Sequence, residues 1–413
     1  MDFYLRLAWR NLWRNRRRTL ISVSGIALSL VIVITFSGVV HGTLNEVITL
    51  GTRQFTGDLQ VTAKGYEDDP TLANSFSADV ADWEAVFGEL PGGTVFTPRL
   101  TSFGLISADD ASAGGMVVGV DPDREAEVTH FLSAVGAGEP LTAEDSGGML
   151  VGRLLARNLE VGVGDTLAVL SQGYRGEMAA ELYSIRGLLS TGQAEVDRNL
   201  VVMTLPAAQE LFFMEGRLTH IIARLPDVHR ATDVADRLNA GLLPADAGLE
   251  AQGWPTFMQE LVQMVDLSTI RNYIIMAFIL VLVGFEIFNT TMMSVLERTR
   301  EFGLLQSLGM RPGALGGLVV TEWFLKLTMA LSLGLVLGAG VLALMHQYPI
   351  PIGGELAEAM HGYGFMIEAI TVSFRPIVFW LPLAAIAVIA LPALLYPLIR
   401  TVRQTPMDAL RAT

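Results

Sequence analysis

The sequence predicts a membrane protein of four transmembrane α-helices with a large external α+β domain inserted between the first and second. Three observations predict it. Four runs carry few or no charges and are long enough to cross a bilayer, which takes roughly 20 helical residues: 19–40, 273–296, 324–345 and 376–399. Charge is sharply partitioned, with six arginines and one acid in residues 1–18 but 33 acids and 14 basic residues in 41–272. Between the first two runs, short strand-like stretches alternate with turns. A mean hydropathy of +0.45 with 17% charged residues agrees, because an ordinary soluble enzyme is neither so apolar nor so uneven.

Residues 1–18, MDFYLRLAWRNLWRNRRR, read as an amphipathic helix. Leu5, Ala8, Trp9, Leu12 and Trp13 share one face, and Arg6, Arg10, Arg14 and Arg17 another. Trp and Arg together suit the headgroup layer, although Arg16 falls on the apolar side. A plain positive anchor and a distinct elbow helix both fit. Residues 19–41 form the first span. Its apolar run exceeds the ~7–15 residues of a signal-peptide core, and no clean small-x-small site follows it. Residues 42–253 form the α+β segment, large enough for one domain or two subdomains. Strands are expected at 58–63, 115–120, 165–171, 182–189, 199–205 and 219–225, helices at 206–213 and 229–243, and exposed loops at 66–79 and 139–147.

Residues 254–272 read as a helical stalk running without a break into the second span, 273–296. A short mixed segment, 297–312, leads to the third span, 313–345. The loop 346–375, the fourth span 376–399 and the tail 400–413 complete the chain. Positive segments stay in the cytoplasm. Both termini and 297–312 are therefore expected inside, and the acidic domain and 346–375 outside.

The residue types exclude several chemistries. No cysteine is present, which removes disulfides, iron–sulfur centres and cysteine nucleophiles. The two lysines, Lys64 and Lys326, follow Ala63 and Leu325, so there is no Gly-Lys-Ser/Thr phosphate loop; any ATP is bound by another chain. No two of the six histidines stand at i, i+4, and no metal site is expected; His346, His361, Glu355 and Glu358 in the outer loop read as solvated polarity. No G-x-S-x-G elbow occurs. Nucleic-acid binding by a segment of net charge −19 is not expected.

Three features inside the spans stand out. Glu286 lies near the centre of the second span, where a charge is costly. It reads either as a proton or substrate site or, preferably, as a hydrogen-bonded acid at a helix interface. Glu322 and Lys326 stand at i, i+4 in the favourable order for a helical ion pair. Ala330, Gly334 and Gly338 form a small-residue row that permits close helix contact, within the bundle or across a dimer.

The segment LERTREFGLLQSLGMRPGA, 296–314, carries the functional signal. The helix of the second span is expected to continue through Glu301. Phe302, Leu304, Leu305 and Leu308 make an apolar set on a helix too short to span, with Glu297, Arg298, Arg300 and Glu301 as charged shoulders. Gly309 is placed to end a helix and Pro312 to start the next. Such a patch needs a partner or the membrane surface, and the residues alone leave both open.

This stretch resembles the signature of the MacB/FtsX-like ABC permease family, whose usual form is ER-x-REIG-x-L-x-A-x-G after the second span. The match falls on Glu297, Arg298, Arg300, Glu301, Gly303, Leu305 and Gly309. Glu322, the start LAWRNLWRNRRRT and the tail TPMDALRAT are similar too. Phe302 replaces the usual isoleucine, Met407 and Asp408 depart from the tail's D-P-x-x-A-L-R, and Lys326 lies outside the pattern. VVGVDPDREAEV (117–128), MLVGRLLARNLEVGVGDTLAVLS (149–171) and STGQAEVDRNLVVMTLPAAQELF (190–212) resemble the lipoprotein-releasing branch.

The resemblance implies a bacterial inner-membrane permease whose external domain is periplasmic and has two subdomains. It implies a second permease copy, identical or paralogous, and a pair of ABC ATPase subunits that bind ATP and magnesium; no cofactor is implied on this chain. The helix within 297–309 would be the coupling helix, with Glu297, Arg298, Arg300, Glu301, Phe302, Gly303, Leu304, Leu305, Leu308 and Gly309 as its residues. A periplasmic lipoprotein carrier and membrane lipid are further implied partners. For a lipoprotein extruder, Phe36, Val39, Val40, Leu44, Leu267, Ile270 and Ile274 would line an acyl cavity; packing against lipid is their plain alternative. Competing functions are efflux of a drug, peptide or toxin through an adaptor, and control of a cell-wall hydrolase. The latter is disfavoured by the size of the external domain.

Overall fold

The computed structural model describes residues 2–14, 16–108, 111–351, 353 and 369–403. The tail motif at 405–413 and Glu355, Glu358 and His361 lie outside the described residues. In chain order the first elements are α1 (Asp2–Arg14), α2 (Arg16–Gly51), β1 (Leu59–Ala63), β2 (Phe76–Ser77), α3 (Trp83–Gly88) and β3 (Val95–Ala108). Next come β4 (Ala111–Val120), α4 (Pro122–Val128), β5 (Val135–Gly138), β6 (Gly148–Gly152), α5 (Arg153–Asn158), β7 (Thr166–Gln172) and β8 (Met178–Leu189). They are followed by α6 (Ala194–Asn199), β9 (Leu200–Thr204), α7 (Leu205–Leu211), β10 (Arg217–Leu218), β11 (His220–Arg224), α8 (Ala231–Arg237), β12 (Leu249–Gly253) and α9 (Trp254–Phe257). The last are α10 (Gln259–Leu296), α11 (Thr299–Ser307), α12 (Pro312–Gln347), β13 (Ile350–Pro351), β14 (Ala369–Ile370) and α13 (Pro376–Arg403). Two compact units result: a membrane unit of residues up to 45, 266–351 and from 369 onward, and a domain of residues 46–265.

In the domain, a 10-stranded sheet runs β12-β1-β11-β3-β4-β9-β6-β8-β5, and β7 bridges β3 to β8. That bridge closes β3, β4, β9, β6, β8 and β7 into a barrel; β11, β1 and β12 extend from it. The domain thus has two parts that share β3. Along β8 alternate residues Tyr183, Ile185, Gly187 and Leu189 are buried, the period of two expected of a strand with one covered face. Leu100, Ile106, Val117, Met149, Leu167, Val169 and Met203 fill one cluster with Leu155 of α5 and Ala208 and Leu211 of α7. Leu59, Val61, Ile221, Ala223 and Ala251 of the extension cluster with Trp83 and Phe87 of α3 and Val234 of α8. Each such large side chain contributes about 1.5–3 kcal/mol when fully buried.

Sequence patterning misses β3, because Pro98 and Gly104 interrupt it. The strand persists for 14 residues because its neighbours are fixed elsewhere: Pro98 pairs with Ile221 of β11, Leu105 with Leu170 of β7, and β4 follows from Arg99 to Ala108. The stretch 66–79 is not a freely exposed loop, since Tyr66, Leu72 and Phe76 are buried. The helix expected over 229–243 ends at Arg237 and widens into a π turn over Leu238–Leu242.

Charge is buried where barrel and extension meet. Arg99 Nε and Nη2 donate to Glu125 Oε2 and Oε1 at 2.9 and 2.6 Å, and the Thr129 hydroxyl donates to the same carboxylate. The guanidinium carbon lies 4.7 and 5.3 Å from the ring centroids of Phe55 and Phe131. Nearby, His220 Nδ1 sits 2.8 Å from Thr219 Oγ1. Burial, reinforced by the Arg99 charge, pushes the His220 pKa down to about 3.

The imidazole therefore stays neutral when folded, whereas the unfolded chain protonates below about pH 6.5. Its contribution to stability is complete above that pH and is lost as pH falls from about 6.5 toward 3, by at most about 1.4 kcal/mol per unit. His220 keeps partial exposure, which reduces the slope. Acid melts of the full-length chain, followed through the buried domain residues Trp83 and Trp254, should be flatter for His220→Phe. A profile as steep as the parent's would refute the assignment.

In the membrane unit, α2, α10, α12 and α13 are each long and apolar enough to cross a membrane. They share one apolar cluster that includes Leu30, Ile34, Ile287, Val319, Ala330 and Ile386. The small-residue row of α12 faces α2. A Cβ on Gly334 would stand 2.8 Å from Ala27 O and 2.9 Å from Leu30 Cβ, and one on Gly338 would stand 3.1 Å from Ile34 Cδ1. Ala330 is fully buried in the same cluster. The row is thus a contact within the chain, where missing side chains let two backbones approach; no dimer contact is needed to explain it.

The N-terminal amphipathic segment is helical over Asp2–Arg14. Ala8 and Leu12 are buried, whereas Leu5, Trp9 and Trp13 are exposed, the two indoles edge-on at 5.8 Å. The apolar stripe therefore divides between the protein and its surroundings. Thr19 Oγ1 donates to Leu12 O at 2.8 Å and ties α1 to α2.

Candidate functional site

The segment after the second long helix is not continuous with it. α10 stops at Leu296, Arg298 leaves the helical region at φ −104° and ψ 8°, and α11 begins at Thr299. The break corrects the expected extension through Glu301, and its physical reason lies in Arg298. That side chain turns toward α12, where Nη1 donates to Glu322 and Nε donates to Glu301 Oε2 at 3.1 Å. At the other end Gly309 adopts φ +99°, a conformation that favours glycine. Its N–H donates to Gln306 O at 3.0 Å, Met310 N–H donates to Leu305 O at 3.0 Å, and Pro312 opens α12.

The ten expected coupling-helix residues divide between two faces. Phe302 is 3% exposed and Gly303 is buried, so Phe302 does not belong to the outward patch expected from the sequence. It packs into the four-helix cluster, with the Arg298 guanidinium 5.1 Å from its ring centroid. Leu304 and Leu308 point outward, 56% and 78% exposed. Arg300, Gly309, Glu297 and Glu301 are exposed beside them, and Leu305 is half-buried.

The inward face belongs to an ionic network. Glu322, 5% exposed, accepts from Arg298 Nη1 and from Asn11 Nδ2, the latter at 2.8 Å. Arg14 Nη2 reaches Glu301 Oε1 at 2.8 Å, and Arg18 Nη1 reaches Glu297 Oε2 at 2.8 Å. Burial alone would raise the Glu301 carboxyl, but Arg298 and Arg14 outweigh it and hold it below the usual carboxylate range. Burial would lower the Arg298 guanidinium, and Glu322 with Glu301 more than reverses this. The expected Glu322–Lys326 pair is not formed, because the carboxylate is taken by Arg298 and Asn11. Lys326 Nζ donates instead to Ser294 Oγ at 3.2 Å. Arg298, Glu322, Ser294 and Lys326 border a cavity of about 40 Å³, also lined by Ser22 and Thr290, which exceeds the ~10–15 Å³ a water needs.

Asn11, Arg14 and Arg18 lie in the N-terminal stretch that resembles the family, but their pairing is not legible there, because Asn11 stands 311 and Arg14 287 residues from its partner. The available signal is charge: a basic N-terminal stretch and the acidic shoulders Glu297 and Glu301 are expected on the same side of the membrane.

Glu286 is half-buried on α10, where Ser29 of α2 donates to Oε2 and Oε1 lies over Gly25. The carboxylate occupies the space that a side chain at position 25 would take. This arrangement is that of a hydrogen-bonded acid at a helix interface. Of the acyl-cavity candidates, Leu267, Ile270 and Ile274 are exposed, and Phe36, Val39, Val40 and Leu44 are half-buried. His346 packs edge-on against Phe374, 5.5 Å between centroids.

Two family profiles cover most of the chain: the MacB-like periplasmic core domain over residues 19–240 and the FtsX-like permease C-terminal over residues 273–406. The chain belongs to the MacB/FtsX family of ABC transporter permeases. As a MacB/FtsX permease it is a multipass membrane protein with a periplasmic α+β domain, of a kind that works with ATPase partners.

Its relatives include the lipoprotein-releasing system transmembrane protein LolC of Xylella fastidiosa, 25% identical over 70% of this chain and 68% of LolC. The macrolide export ATP-binding/permease protein MacB of Wolinella succinogenes is 22% identical over 87% of this chain and 56% of MacB. An uncharacterised ABC transporter permease of Mycobacterium tuberculosis is 28% identical over 64% of this chain and 29% of its own length, so this chain spans under a third of that relative. Among solved structures, the periplasmic region of MacB from Actinobacillus actinomycetemcomitans is similar at 12% identity and a TM-score of 0.34, covering 50% of this chain and 92% of that one.

Proposed function

We propose that this permease transmits ATP-driven motion from a separate ATPase pair to its periplasmic domain, and that it releases lipoproteins from the bacterial inner membrane. The carrying observation is α11, a nine-residue helix anchored by Phe302 and the Arg298–Glu322 pair that presents Leu304 and Leu308 outward. An exposed apolar pair on a short, anchored helix suits a groove in a partner. In this reading the chain is non-catalytic: ATP and magnesium are held by the ATPase, α11 and both termini are cytoplasmic, and a second permease copy completes the complex. α10 runs unbroken for 38 residues from Gln259 to Leu296, long enough at about 1.5 Å per residue to carry displacement through a bilayer and beyond it.

The lipoprotein cargo follows the similarity to LolC and the external stretches that resemble its branch. The exposed Leu267, Ile270 and Ile274 and the half-buried Phe36, Val39, Val40 and Leu44 then serve as apolar contacts for acyl chains. A periplasmic carrier receives the product. Efflux through an adaptor is the second reading, favoured by the alignment with MacB across 87% of the chain.

Mass spectrometry of the purified complex distinguishes the two. A triacylated lipoprotein should copurify and leave on ATP addition. An active ATPase with no lipoprotein bound would count against this cargo.

A further inference from the structure

We infer that the N-terminal segment is a strut that sets the position of α11, with Asn11, Arg14 and Arg18 as positioning residues for the docking surface. The inference rests on the docking role proposed above. A helix of nine residues is marginal by itself, and α11 buries only Thr299, Phe302 and Gly303. It is joined to α10 by a break at Arg298 and to α12 through Gly309, both points where the backbone leaves helical geometry. Packing of one aromatic ring leaves α11 free to turn about its own axis unless its charged shoulders are also held.

The N-terminal segment holds them from three places. Arg14 grips Glu301 within α11, Arg18 grips Glu297 just before it, and Asn11 fixes the Glu322 carboxylate that binds Arg298 in the break. The segment is itself immobilised, since Ala8 and Leu12 are buried and Thr19 ties α1 to α2. Exposed ion pairs are individually weak. Arg14–Glu301 is reinforced through Arg298, which also binds the buried Glu322, where losing a partner strands a charge, and Arg18–Glu297 adds a separate hold. The direction in which Leu304 and Leu308 face is therefore decided by residues near the other end of the chain.

The absence of cysteine from the natural chain allows a direct test. Spin labels at Leu5→Cys and Ser307→Cys, both exposed positions, report the distance from α1 to α11 in the full chain in nanodiscs. One narrow distance distribution is expected. Arg18→Glu should broaden it, and the charge-swapped Arg18→Glu/Glu297→Arg chain should narrow it again, a rescue that general destabilisation does not give. Asn11→Ala, a milder change, should also broaden it if Arg18→Glu fails to fold. A single variant as narrow as the parent, or a swap as broad as Arg18→Glu, overturns the strut.

ATPase affinity separates this inference from the docking role. If α11 occupies its docking orientation about a tenth of the time in Arg18→Glu, affinity falls about tenfold and returns in the swap. Distances that behave as expected while even the parent chain binds no ATPase would leave the strut standing and remove the docking role.

Discussion

Leu304→Asp combined with Leu308→Asp is expected to abolish ATPase association while the chain still inserts and folds. Both leucines stand outward, Leu304 on α11 and Leu308 at its C-terminal cap, at 56% and 78% exposure. Their removal therefore costs the permease little, within the roughly ±0.5 kcal/mol typical of surface changes. In a docked complex each would lose about 1.5–3 kcal/mol of burial, and each aspartate would bring a charge into an apolar groove. The loss of burial alone predicts at least a hundredfold weaker association, since each 1.4 kcal/mol is about tenfold. Phe302→Asp is the informative contrast: it should disturb the membrane unit itself, because that ring lies in the four-helix cluster. Copurification of the ATPase at parental levels with the double variant would end the docking assignment.

The second large effect lies in the periplasmic domain. Glu125→Ala should destabilise it by about 3–5 kcal/mol, the cost of stranding one partner of a buried ion pair. Glu125 is fully buried, and Arg99 is 3% exposed between two phenylalanine rings. The guanidinium left behind would have lost the carboxylate that takes both of its hydrogen bonds. Replacing both partners, Arg99→Met with Glu125→Leu, should recover most of the loss, because no uncompensated charge remains. Urea unfolding read through the buried Trp83 and Trp254 measures both variants. A double variant no more stable than Glu125→Ala would mean that the pair does more than balance its own charge.

Much of the architecture is legible in the residues themselves. Four apolar runs mark the spans, and a basic N-terminus with an acidic insert predicts their orientation, because the bilayer penalises exposed charge and backbone by several kcal/mol per group. The strands that sequence patterning finds, such as β9 at Leu200–Thr204, are short apolar stretches bounded by turns. β3 escapes because Pro98 and Gly104 are local breakers; its continuity is imposed by β4, β7 and β11 pairing along it. A residue-by-residue propensity has no access to such non-local pairing.

The functional segment divides in the same way. The motif from Glu297 to Gly309 identifies the family and marks a short helix between spans. Composition and spacing cannot tell which apolar residue of that helix faces the bundle, and Phe302 turns inward while Leu304 and Leu308 turn outward. Nor can spacing tell that Glu322 pairs with Arg298 and Asn11 rather than with Lys326, one turn away on its own helix. A helical i, i+4 pair is worth only a few tenths of a kcal/mol, too little to hold a carboxylate that a guanidinium and an amide from other helices can reach.

The membrane class, the four apolar spans and the family follow from local composition and a contiguous motif. Only the tertiary structure decided which face of the signature helix is free and which residues hold it there. The reason is that those choices depend on pairs such as Arg14–Glu301, 287 residues apart in the chain and 2.8 Å apart in space.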